Sequence, residues 1–298
     1  MQWENFWKEH LRFFADWPVG RADPFAAAVP TEERSRLVRI ARDLKERGAE
    51  IEKAAIRATP GQTETKREDL IVRYRLCSEW LVRQNGDFYT EEKVEERQAL
   101  LRGDRIVSDA PDLSKVARRE TEPPSMSAES AGEEAPRGYD RRAAVRYAEL
   151  WWNRRNPAYP QVENDCTNYI SQCLYAGGVP MWGAPVRSRG WWHSRTNWSF
   201  TWAVANSFRW YLSSRSNVIG TEEKEHADQL VPGDVICYDF EGDGHWNHNT
   251  MVTAIDPSGQ PLVNAHTYDA RARHWAYTDS PAWTPSIQYK FFHIKNEV

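Results

Sequence analysis

Several easily recognised classes are excluded by what this chain lacks. No apolar run approaches the roughly 18 residues that a bilayer crossing needs, and the mean hydropathy is -0.76. Neither sign of charge dominates, with 39 Lys and Arg against 43 Asp and Glu for a net charge of -4. There is thus no basic field of the kind a nucleic-acid partner requires. Cysteine is scarce. The four present, Cys77, Cys166, Cys173 and Cys237, show no CxxC or zinc-finger spacing, so neither a disulfide framework nor a structural zinc knuckle is expected. The opening "MQWENFWKEHLRFFADW" carries acidic residues and lacks the uninterrupted apolar segment of a secretion signal. A cytoplasmic location is therefore the default expectation, with export by another route left open. No internal repeat is visible.

Tryptophan, by contrast, is plentiful. Of 15, four fall in the first 80 residues and eleven beyond residue 150, a sign of two unlike halves. Between them "APDLSKVARRETEPPSMSAESAGEEAPR" has almost no aliphatic bulk. Such a segment cannot bury enough surface to offset its ordering entropy and reads as a flexible linker. The expected organisation is a small α+β unit over residues 1–110, a linker over 111–137 and a second domain over 138–298.

In the first unit Trp3, Phe6, Trp7, Leu11 and Phe14 recur at helical spacing. A second helix is expected from Thr31 as N-cap to a stop near Gly48. "EDLIVRYRLCSEWLV" and "DFYTEEKVEERQALL" flank Asn85-Gly86, a strong hairpin signal. The charges of this unit read as solvated faces, and no chemistry is evident in it.

In the second unit helices come first and strands later, which predicts an α+β domain with an antiparallel sheet. "YDRRAAVRYAELWW" puts Ala144, Ala148 and Trp151 on one helical face. A further helix begins near Cys166 and stops at Gly177-Gly178, and another is expected over "TWAVANSFRWYL". "DVICYDF", "NTMVTAI", "PLVNAHT" and "SIQYKFFHI" read as strands.

Cys166 sits in a polar collar of Asn164, Asp165, Thr167 and Asn168, where that helix starts. It shares a face with Tyr169, Ile170, Cys173 and Leu174. A thiol at a helix N-terminus gains from unpaired N–H groups and the positive end of the dipole. Asp165 and Glu163 act against this, so an imidazolium partner is needed to offset them. The plain alternative is a buried cysteine that opens an apolar stripe; Cys77, Cys173 and Cys237 are read that way.

His248 offers the partner, at the mouth of a strand that "DPSG" turns back into the next. If Asp256 pairs with Gln260, Thr250 lies opposite His266. His248, His266 and Asn264 then share a face, with His266 one diagonal step from His248. A bulge would alter that choice.

The segment from Tyr139 onward, with "RRAAVRYAELWWNRRNPAYP", "ENDCTNYISQCLYAGG", "LVPGDVICYDFEGDG" and "NHNTMVTAIDPSGQPLVNAHT", resembles the putative amidase domain family of bacterial proteins. It is more distantly similar to NlpC-type and CHAP-type cell-wall peptidases. The resemblance implies a papain-like fold and amide hydrolysis without a cofactor. It carries over Cys166 as nucleophile, His248 as base and His266 as third member, with Asn264 as the alternate third member and Gln161 as a candidate oxyanion donor. The implied substrate is a peptide, a peptidoglycan fragment or a small amide. Trp191 and Trp192, beside Arg187, Arg189 and His193, could form a platform for it.

Two other classes compete. One is a non-catalytic peptide or cell-wall binding module on the same fold, since a fold does not prove turnover. The other is a zinc hydrolase using His245, His248 and His266 with Asp243 or Glu241. Asp239, Glu241 and Asp243 also resemble the start of a calcium loop, but no Glu stands at its twelfth position.

Overall fold

A computed structural model of the chain describes residues 3–23, 31–103, 105–112 and 138–296. Two compact units are present. The first holds the described residues up to Asp112, together with 256–258 and 276–283; the second holds the rest. Residues 113–137, which contain most of the expected linker, lie outside the described residues. Both units combine helices with antiparallel strands, so the α+β class holds.

The first unit opens with α1 (Trp3–Asp16) and α2 (Thr31–Glu46). Trp7, Phe13, Phe14 and Trp17 of the α1 region are buried with Leu37, Ile40 and Leu44 of α2. Of Trp3 and Phe6 only the helical backbone is described. Four strands follow, β1 (Ala49–Lys66), β2 (Asp69–Gln84), β3 (Asp87–Arg102) and β4 (Arg105–Pro111), the last reaching one residue into the segment expected as linker. Asn85 and Gly86 both have positive φ, 51° and 88°, as a two-residue hairpin turn demands. They bring Gln84 opposite Asp87.

One expectation is overturned here: the charges of this unit are not all solvated. Arg97 is 1% exposed and bonds Glu33 (3.0 Å), Glu95 (2.9 Å) and Asp109 (3.2 Å). Arg36 pairs with Glu33 and Glu95, while His10 and Tyr74 bond Asp109. Nearby guanidinium charge holds Glu95 well below the usual carboxylate range despite its burial.

The second unit begins with α3 (Arg141–Trp151) and α4 (Cys166–Ala176). Asp140 caps α3, accepting from the Ala143 amide at 3.0 Å. Ala144 and Ala148 are wholly buried, which lets α3 pack closely on α4. The expected single helix after it is broken at Val204 into α5 (Phe200–Ala203) and α6 (Ala205–Leu212).

The strands of this unit run β9-β8-β7-β6-β10-β5 in space, with every neighbouring pair antiparallel. They are β5 (Thr221–Lys224), β6 (Val235–Asp239), β7 (His248–Ile255), β8 (Pro261–Ala265), β9 (Ala270–His274) and β10 (Gln288–Ile294). α4 packs on the face that carries Val235, Cys237, Met251 and Phe292.

The β7–β8 register departs from expectation. Ile255 faces Pro261 as the turn requires, but a bulge between Val252 and Ala254 then shifts the pairing by one, so Met251 faces Asn264. One residue of slip exchanges the two faces of everything beyond it.

Candidate active site

α4 is a helix buried on nearly all sides, nine of its eleven residues being buried. Its polar members are each engaged. Asn168 accepts from the Trp202 indole at 2.8 Å, Ser171 from the Trp191 indole at 3.0 Å, and Gln172 from the Tyr147 hydroxyl at 2.7 Å. Such satisfaction is what makes a buried polar helix tolerable.

Cys166 is the first residue of α4 and is 3% exposed. Its Sγ lies 3.7 Å from Thr167 Oγ1, which accepts from Asn249 Nδ2 of β7 at 2.9 Å. Asn249 faces Cys237 across the sheet. Asp165, just before the cysteine, makes no N-cap hydrogen bond. Its carboxylate instead takes Arg155 Nε at 2.8 Å, His266 Nδ1 at 2.6 Å and Asn168 Nδ2 at 2.7 Å. Arg155 thus pairs with the carboxylate that directly precedes the thiol, where an imidazolium was expected to offset it. Burial pushes the thiols of Cys173 and Cys237 up, which keeps both inert.

The two histidines are held apart by the strand alternation. Asn249 and Met251 face α4, so His248 and Thr250 start on the other face. There the His248 ring meets Tyr238 (5.6 Å between centroids) and Phe240 (5.9 Å). Burial, with the Arg273 charge near it, lowers its pKa to about 3. His266 lies on the α4 side, stacked on Tyr169 at 3.8 Å, with Nε2 on the Trp151 carbonyl at 2.7 Å. Both of its ring nitrogens are committed.

Asn264 is equally committed. Its Oδ1 accepts from Thr253 (2.9 Å) and the Ala272 amide (2.9 Å), and its Nδ2 donates to Glu149 (2.8 Å). It fastens the bulge. Gln161 is exposed in the loop before α4. Trp191 and Trp192 are 0% and 2% exposed, with their indole N–H groups bonded inward, so neither offers a face to a ligand.

Among the described residues no three His, Cys, Asp or Glu side chains converge on a point that a metal could occupy. The Asp239 carboxylate is taken up by the amides of Gly242 (2.8 Å), Asp243 (3.3 Å) and Gly244 (2.7 Å). That loop closes on itself. Sequence reasoning passed over Thr167, Asn249, Arg155 and the Asp165 network. Thr167 and Asn249 lay inside the motifs quoted, but only the register shows which of them meet.

A domain of this class, a buried helix headed by cysteine over an antiparallel sheet, has a counterpart among known families. Residues 138–292 match the family described as "Putative amidase domain", and the chain belongs to it. At the level of that family it is a hydrolase of amide bonds. The chain is 40% identical to "Uncharacterized protein YhbB" of Bacillus subtilis (strain 168), over 99% of this chain and 95% of that one. It is also 29% identical to "Uncharacterized protein YjcM" of the same organism, over 40% of this chain and 28% of that one. No solved structure matches it. No helix among the described residues is long and apolar enough to cross a membrane.

Proposed function

We propose that the chain is a cysteine-dependent amide hydrolase of papain-like type, acting on a peptide-like substrate through an acyl-enzyme. The observation that carries this reading is the position of Cys166 at the head of the buried α4, with Thr167 Oγ1 at its sulfur. Helix-terminal N–H groups favour both a thiolate and an oxyanion there.

His266 is fully bonded, so we assign the base to His248 and give His266 the task of holding the head of α4 through Asp165. His248 is the first residue of β7. Its ring must turn past the strand end, away from Tyr238 and Phe240, to reach the sulfur. Burial keeps the resting ring neutral, and leaving that burial as it turns restores its capacity to accept a proton. His248 then takes the thiol proton, Cys166 Sγ bonds to the carbonyl carbon, and the C–N bond breaks as His248 returns the proton to the leaving amine. Water cleaves the thioester, releasing the acid and the free thiol.

One observation favours a second reading, a binding module without turnover: the His248 ring rests on the sheet face away from α4. Cys166→Ala and His248→Ala decide between them. Wild type and both variants are incubated with muropeptides and short peptide amides, and the products are read by mass. We expect hydrolysis by wild type alone. Full activity in Cys166→Ala would refute the cysteine mechanism, while substrate retention without products in wild type would establish the module.

A further inference from the structure

We infer that Thr167 and Asn249 form a hydrogen-bond relay that sets the charge state of the Cys166 sulfur. This rests on Cys166 being the nucleophile and names the positioning residues that act on it.

The geometry is directional. Asn249 Nδ2 donates to Thr167 Oγ1 at 2.9 Å, so the Thr167 oxygen is an acceptor in that contact. A hydroxyl has a single hydrogen left to give, and Cys166 Sγ lies 3.7 Å from the same oxygen. With one lone pair of that oxygen engaged by the amide, the relay needs the hydroxyl hydrogen on the sulfur, an arrangement the 3.7 Å separation permits. Thr167 and Asn249 are 0% exposed and Cys166 is 3% exposed. In such dry surroundings an unassisted thiolate is disfavoured, and each donor aimed at it counts for more than it would in water.

A second observation points the same way. Asn249 Oδ1 is buried and has no hydrogen-bond partner, an arrangement that is unfavourable by itself. A residue kept only for packing at this wholly buried position, opposite Cys237, would be better served by an apolar side chain. The orphaned oxygen is explained if the other end of the amide is needed at Thr167. Asp165, the residue before the cysteine, is paired with Arg155 at 2.8 Å and held by His266 at 2.6 Å, so the relay does not work against an unpaired carboxylate.

The test is the pH profile of alkylation by iodoacetamide, read peptide by peptide by mass spectrometry on the full chain, with Cys77 as internal reference. In wild type the Cys166 midpoint should lie below that of Cys77. Thr167→Val keeps the shape and removes the hydroxyl; it should raise the midpoint by about one pH unit, a tenfold loss of thiolate at fixed pH. Thr167→Ser should restore it. Asn249→Ala reaches the same hydroxyl from the sheet side and should raise the midpoint in the same direction, so a valine variant that failed to fold would leave the inference testable. An unchanged midpoint in both Thr167→Val and Asn249→Ala, with Cys166 still the low-midpoint thiol and Cys166→Ala inactive, overturns the relay and leaves the cysteine mechanism standing. A wild-type Cys166 that titrates no lower than Cys77 overturns the relay together with the activated nucleophile.

Discussion

Acidification should destabilise the second unit through His248, in a window set by its surroundings. The ring is 7% exposed, packed among Tyr238 and Phe240, and its pKa falls from 6.5 to about 3 through burial, with Arg273 adding to the fall. Between those two values the unfolded chain binds the proton and the folded chain does not, so stability declines as pH drops below 6.5 and stops declining near 3. At pH 5.5 the loss from this one group is about 1 kcal/mol, and at pH 4.5 about 3 kcal/mol. His248→Gln has no such proton to take up. The assay compares urea unfolding of wild type and His248→Gln at pH 7.5 and 5.5, with the imidazole C–H shifts followed by NMR across the same range. Wild type should lose about 1 kcal/mol more than the variant, and its His248 resonance should not titrate above pH 5. A folded His248 that titrates at or above 6.5 would refute the reasoning. A value above 6.5 would instead report a ring turned toward a negative partner, the imidazolium–thiolate pair that transfer of the Cys166 proton creates. Stability from that pair would be present below pH 6.5 and lost as pH rose through the elevated value.

Two further outcomes test the frame around the site. Arg97→Ala should cost the first unit about 3–5 kcal/mol, since it takes the guanidinium from buried Asp109 and leaves Glu33 and Glu95 with Arg36 alone; denaturant unfolding followed by Trp fluorescence measures it. Gly190→Ala should cost more than about 3 kcal/mol, because φ is +65° and an added Cβ would overlap the Trp182 carbonyl. There Trp182 and Trp191 exchange backbone hydrogen bonds of 2.9 and 2.8 Å. A thermal melt of that variant matching wild type would show that the Trp182–Trp191 bridge is dispensable.

Much of this fold could be read ahead of the structure because its local signals agree with its packing. Asn85-Gly86 turns where it should, Gly177-Gly178 ends α4, and the spacing of Ala144 and Ala148 marks the face of α3 that meets α4. The strands that escaped notice carry no sustained apolar alternation. β1 contains Pro60 and Gly61 and is largely exposed, and Pro60 falls at a register shift where no regular ladder is interrupted. β5 and β9 are short and polar. The Arg97 network escaped for another reason. A charged residue in an alternating strand reads as solvent-facing, and nothing local reveals that Glu33 from a helix and Asp109 from another strand will neutralise it.

The site depends on a single residue of register. Were the pairing of Ile255 with Pro261 to continue along the hairpin, His248 and His266 would share a face, as the motif alone suggests. The bulge shifts the pairing, and Thr253 bonds the Asn264 side chain that secures it. His266 therefore falls on the face of Asn249 and reaches Asp165, while His248 is left with Tyr238. A two-histidine motif thus becomes two separate devices. One fixes the head of the helix that carries Cys166. The other stands at the end of a strand, and the proposed mechanism needs its side chain to turn toward Cys166.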